Sequence, residues 1–175
     1  MTITSCKDVK IEDNFLAQTD FDKIQTMMMG HTFPWFLNLF IDSVTDVDKF
    51  QFIHVFYKDK APCSNHIKNM IPILTILDPT AIYRIKSNLL IKTSSIIENK
   101  FHSDLSSVLK EDQRAHWITS IFYVNTNNGY TKFENGMKVE SVANRMVSFP
   151  ANMEHKGTTC TDEQTRVVVN FNYFK

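Results

Sequence analysis

Hydrophobic spacing changes period along this chain. Over residues 15–29, apolar side chains at Phe15, Leu16, Phe21, Ile24, Met27 and Met28 follow helical spacing, and Gly30 offers a stop. The stretches 33–41 and 50–57 are aromatic and β-branched and predict strands, the second closed by Lys58-Asp59-Lys60-Ala61-Pro62. Ser64 can cap a helix running toward Leu77, which Pro72 must kink or divide and Asp78-Pro79 ends. Strand character returns over 81–92.

In the second half, short strands and tight turns alternate. Strands are expected over 117–125, 130–133 and 137–142, separated by Thr126-Asn127-Asn128-Gly129 and Glu134-Asn135-Gly136. Another covers 145–149 before Pro150, and the most strand-like segment, 166–174, comes last. No internal repeat or low-complexity linker interrupts the pattern. The expectation is a mainly β fold with N-terminal helices in a single domain over 1–175. Helical and mixed support over 1–80 carries a jelly-roll (double-stranded β-helix, cupin-like) core over about 81–175.

Composition narrows the function classes. Apolar residues at 43% and charged residues at 22% are ordinary globular usage, so the chain is expected to fold throughout. Nineteen basic residues balance nineteen acidic ones, which provides no net field toward nucleic acid or anionic lipid. Cys6, Cys63 and Cys160 are odd in number and scattered, which argues against a disulfide framework. The first thirteen residues lack the apolar stretch of a secretory leader, and no run has membrane-spanning length. A cytoplasmic protein is expected.

One constellation carries chemistry. His102-Ser103-Asp104 places an imidazole and a carboxylate two positions apart, on the same side of an extended chain. His155, just beyond the strand that Pro150 ends, is the natural third ligand. Two histidines and one carboxylate occupy one face of an octahedron and leave positions open, as Fe(II) oxygenases require; zinc can also take this set. Arg166, eleven residues past His155, favours iron with 2-oxoglutarate, because a guanidinium can grip a dicarboxylate's far end with two bonds.

With these residues in place, the chain resembles the 2-oxoglutarate and Fe(II)-dependent oxygenases of the prolyl 4-hydroxylase-like branch, from about residue 83 to 174. The similarity includes His102-x-Asp104, His155 and Arg166 in order, Thr119-Ser-Ile-Phe-Tyr123, Gly129-Tyr-Thr-Lys-Phe133-Glu, and Arg145-Met-Val-Ser-Phe149-Pro150 leading into His155-Lys-Gly157. The short length and Asn125-Thr-Asn-Asn-Gly-Tyr130 look like stand-alone members encoded by bacteriophages, which would act in the host cytoplasm.

The resemblance implies Fe(II), 2-oxoglutarate as cosubstrate and O2, with ascorbate as a further candidate. It implies hydroxylation of a C–H bond in a peptide, protein or small-molecule substrate, with 2-oxoglutarate decarboxylated to succinate. It also implies that Tyr123 and Thr119 serve the cosubstrate beside Arg166. Asn88, Tyr130, Thr131 and Asn172 are candidates for substrate contact. Departures fall at Leu89, Leu90 and Ile91, where many relatives carry a Tyr near the metal, and at Gly129-Tyr130 in place of a double glycine. A non-catalytic jelly-roll metal-binding or interaction protein, and a zinc hydrolase, remain alternatives at this point. His31, His54, His116 and the Cys63-x-x-His66 pair read as structural.

Overall fold

The computed structural model describes residues 8–41 and 49–175. Cys6 and the start of the polar N-terminal stretch lie outside them. In chain order the elements are β1 (Lys10–Glu12), α1 (Gln18–Met29), β2 (Phe36–Asn38), β3 (Gln51–Lys58), β4 (Ala61–Pro62), a 3-10 turn (Asn65–Met70), α2 (Ile71–Leu77) and β5 (Ala81–Ile91). Then follow α3 (Glu111–Arg114), β6 (Trp117–Tyr123), β7 (Tyr130–Phe133), β8 (Lys138–Glu140), β9 (Arg145–Pro150), β10 (His155–Gly157) and β11 (Thr165–Phe174). No helix among the described residues is long and apolar enough to cross a membrane.

Two antiparallel sheets face each other, giving a double-stranded β-helix. The larger has the order β1-β9-β6-β11-β5-β3-β2, with β4 also on β3, and the smaller is β10-β7-β8. Strands from the first eighty residues extend the main sheet, and the helices from the same stretch pack against its outer face. Alternation along each strand divides the apolar side chains between two cores. Phe122, Val167, Val169, Phe171 and Tyr173 point outward and pack under α1 and α2 with Phe21, Ile24, Met28, Ile73 and Leu77. Ile121, Tyr123, Val147, Phe149 and Val168 point inward and meet Phe133 and Val139 of the smaller sheet.

The helix expected over 15–29 begins three residues late for a local reason. Asn144, at φ 61°, accepts from Phe15 N through its carbonyl and from Leu16 N through its side-chain oxygen, both at 2.9 Å. Those bonds hold Phe15 and Leu16 against the sheet, and α1 starts beyond them. The segment after Ser64 divides as its proline demands: Ser64 Oγ accepts from His66 N at 3.1 Å, a 3-10 turn follows, and Pro72 sits in the first turn of α2. Asp78 ends α2 in the left-handed conformation at φ 49°. The strand expected over 33–41 contracts to β2, because Phe33 N is drawn back to Gly30 O and Pro34 O is taken by His54 Nδ1 at 2.8 Å.

Candidate metal centre and anion pocket

The inner face of the main sheet sets the site in rows. Antiparallel register aligns Tyr123 with Val168 and Asn88, Ile121 with Asn170 and Lys86, and Thr119 with Asn172 and Arg84; Arg166 stands opposite Leu90. The smaller sheet supplies His155 from β10. His102 lies beside it through paired backbone bonds, His102 N to His155 O at 3.0 Å and His155 N to His102 O at 2.9 Å. That isolated bridge ends the extended chain. Asp104 is already in a turn, with Leu105 at φ 61° behind it, so the turn, and not strand alternation, aims its carboxylate at the histidines.

The ligand atoms of His102, Asp104 and His155 all lie within 4.8 Å of one another. His155 Nδ1 donates to Met153 O at 3.0 Å, which fixes the ring and leaves Nε2 for a metal. Asp104 Oδ2 accepts from Thr119 Oγ1 at 2.7 Å and from Asn172 Nδ2 at 2.9 Å. Asn172 Nδ2 also donates to Thr119 Oγ1 at 3.0 Å, closing the triangle. Burial opposes ionisation of Asp104, yet His155, His102, Arg84 and the Thr119 hydroxyl together hold its pKa at about 2. Burial, then the neighbouring His102, pulls His155 down to about 4. At neutral pH the group presents one carboxylate and an imidazole free of its proton, the donor set that a divalent transition metal takes.

A cavity of about 220 Å³ opens beside these three residues, and Arg166 lines its other end. Arg166 is 3% exposed. Its Nε donates to Ser141 Oγ at 2.8 Å and its Nη2 to Thr131 Oγ1 at 3.3 Å, while its Cζ lies 5.7 Å from the Tyr123 ring centre. Tyr123 OH donates to Thr131 Oγ1 at 2.8 Å. No carboxylate pairs with this guanidinium among the described residues. Burial lowers the pKa of Arg166 and raises that of the Tyr123 phenol, the response of polar groups held out of water without a full set of partners. Gly129 is required for the guanidinium's path: a Cβ there would stand 2.7 Å from Arg166 Cδ and 2.8 Å from Thr159 O.

The sequence candidates divide between two ends of the site. His102, Asp104 and His155 converge with Thr119 and Asn172, whose side chains reach Asp104; the hydroxyl of Thr119 is committed there, away from the anion end. Arg166, Tyr123 and Thr131 gather at the other end, the candidate anion end. Asn88 lines the cavity between them. Tyr130 instead donates to Glu98 Oε1 at 2.8 Å, in a cluster where Lys132 and Lys156 reach the same carboxylate at 3.1 and 2.6 Å. Sequence reasoning missed Arg84, whose Nη2 lies 3.7 Å from Asp104 Oδ1. Arg84 shares the two-residue period of Lys86 and Asn88 on β5, a pattern that an exposed strand edge would show equally well. Cys63 and His66 join no metal-competent cluster among the described residues.

The sequence matches no family model and no curated protein sequence. Solved structures do share its fold. A prolyl hydroxylase from Trichoplax adhaerens, in complex with a hypoxia inducible factor oxygen degradation domain peptide, aligns at TM-score 0.65 and 13% identity over 97% of this chain and 84% of that one. A 2OG-Fe(II) oxygenase family oxidoreductase from Burkholderia pseudomallei aligns at TM-score 0.64 and 10% identity over 96% and 86%. A non-haem alpha-ketoglutarate-dependent epimerase of nogalamycin biosynthesis aligns at TM-score 0.66 and 9% identity over 96% and 78%.

Proposed function

We propose that this protein is an Fe(II)- and 2-oxoglutarate-dependent dioxygenase that hydroxylates a C–H bond of a peptide or small-molecule substrate. In this reading residues 1–175 form one oxygenase domain of the prolyl hydroxylase-like branch, akin to the short bacteriophage members and acting in the cytoplasm. The observation that carries it is Arg166: a buried guanidinium with no carboxylate partner among the described residues, in the same cavity as a His-Asp-His cluster. An unpaired buried cation is costly, and an incoming carboxylate offsets that cost. A zinc hydrolase has no use for it.

The roles follow from the geometry. His102, Asp104 and His155 would hold the metal, which when bound supplies the oxidising chemistry with O2 and 2-oxoglutarate. Thr119 and Asn172 fix the rotamer of Asp104, and Met153 O fixes that of His155. Arg166, with Thr131 and Tyr123 beside it, orients the cosubstrate by its far carboxylate. Val168, Ile121 and Leu90 line the space between and exclude water from it.

The test is succinate formation by purified protein. It is expected to require both added Fe(II) and 2-oxoglutarate and to vanish in His102→Ala. Turnover of the variant at the wild-type rate, or activity supported by Zn(II) without 2-oxoglutarate, would sink the assignment.

A further inference from the structure

The cavity contains a second guanidinium that the cosubstrate leaves unused. We propose that the primary substrate carries a carboxylate and that Arg84 binds it, an inference that rests on the oxygenase reading above.

Arg84 and Arg166 leave opposite ends of the same inner face. Arg166 stands opposite Leu90 and Arg84 opposite Asn172, six positions along β11, or roughly 20 Å of strand. Asp104 sits at the Arg84 end. A dicarboxylate with its far end on Arg166 and its near end at the metal has no carboxylate left for Arg84.

The Arg84 side chain is 25% exposed. Among the described residues its one hydrogen bond runs from Nη2 to Asn172 Oδ1 at 3.1 Å, and its Nε is buried without a partner. At 3.7 Å from Asp104 Oδ1 it makes an ion pair but no hydrogen bond. Orientation of Asp104 is already provided by Thr119 and Asn172, both neutral. Arg84 helps to keep Asp104 ionised from 3.7 Å away, but that contact leaves its Nε without a hydrogen-bond partner among the described residues. Its remaining donors fit an anion that arrives with the substrate, gripped through the N–H groups that Asn172 leaves over.

The rest of the wall agrees with a polar guest. Lys86, Asn88, Asn99 and Asn170 line the same cavity, and among its described lining residues none is Phe, Tyr or Trp. An apolar ring would find no stacking surface there. A guest with a carboxylate for Arg84 and an N–H or O–H group beside it would also meet the side-chain oxygens of Asn88, Asn99 and Asn170, which have no partner among the described residues.

The experiment uses the protein loaded with Mn(II) in place of iron and saturated with 2-oxoglutarate in the absence of O2. Two probes of equal size are titrated, N-acetylglycine and N-acetylglycinamide, which differ in the carboxylate. Broadening of the acetyl methyl resonance by Mn(II) reports binding near the metal without turnover. The acid is expected to be broadened at least about tenfold more strongly than the amide, the discrimination of one charge-assisted pair. Arg84→Lys should keep that preference and Arg84→Gln should erase it. Equal broadening of the two probes by the unaltered protein, or a preference that survives in Arg84→Gln, overturns the proposal. Mn(II) water relaxation that does not respond to 2-oxoglutarate identifies a different failure: the oxygenase reading falls, and the proposal with it.

Discussion

Asn172 and Asp104, 68 positions apart in the chain, meet through a hydrogen bond of 2.9 Å from Asn172 Nδ2 to Asp104 Oδ2. The last strand thus reaches across the site to hold the carboxylate of a residue that stands in a turn. Asn172→Leu removes this donor and one to Thr119 together. Metal affinity should fall by about 10-fold to 100-fold, the usual cost of losing a group that orients a ligand. A Mn(II) titration followed by electron paramagnetic resonance measures it; affinity equal to that of the parent protein would mean that Thr119 alone holds Asp104.

Arg166→Met separates binding from stability. Without the guanidinium, 2-oxoglutarate should bind more weakly by roughly 2–5 kcal/mol, the range for losing one partner of a buried charged pair. The ligand-free variant should nevertheless melt higher than the parent, because an unpaired buried cation has been replaced by an apolar side chain of similar length. Calorimetric titration and thermal unfolding read the two effects separately. A lower melting temperature without ligand would show that the bonds to Ser141 and Thr131 outweigh the burial cost.

Gly129→Ala tests how tightly the anion end is built. The added methyl would meet Arg166 Cδ at 2.7 Å, Asn127 Oδ1 at 2.8 Å and Thr159 O at 2.8 Å. One of these is a backbone oxygen, so the chain at residue 129 must shift along with the arginine. Overpacking of this kind costs about 1–3 kcal/mol of stability. It should also raise the concentration of 2-oxoglutarate needed for half-maximal succinate formation, while leaving Mn(II) affinity near that of the parent. A change in metal affinity without a change in the 2-oxoglutarate requirement would contradict this.

The period-two face of β6 was legible in the sequence because Thr119, Ile121 and Tyr123 alternate cleanly with Ser120 and Phe122. The same holds for Arg166, Val168, Asn170 and Asn172 on β11, and the antiparallel register then placed the two faces together. Arg84 was not legible. Lys86 and Asn88 next to it read equally well as a solvated edge, and β5 is covered on both sides, by β11 and by β3. Nor does alternation anticipate the turn at Asp104, since the left-handed Leu105 that closes it is not a residue type that favours positive φ. Nor was the partner of Tyr130 legible, because Glu98, which accepts from its hydroxyl, lies 32 positions earlier.

The pH dependence of the metal-free protein should follow His155. Burial, and after it the neighbouring His102, lower its pKa from 6.5 to about 4 in the folded chain. Between those values the unfolded chain binds more protons than the folded one, so stability rises with pH across the window. It is full above about pH 6.5 and is lost as the pH falls toward 4. Asp104 acts in the same direction at lower pH: its carboxyl, moved from 3.8 to about 2, contributes stability that disappears as the pH falls through that second window. Urea unfolding at pH 7 and pH 5 should give a lower midpoint at pH 5 for the parent, and a smaller difference for His155→Asn. Equal midpoints for the parent at the two pH values would mean that His155 is protonated in the folded chain at pH 5, and the site would then have to expel that proton before taking up a metal.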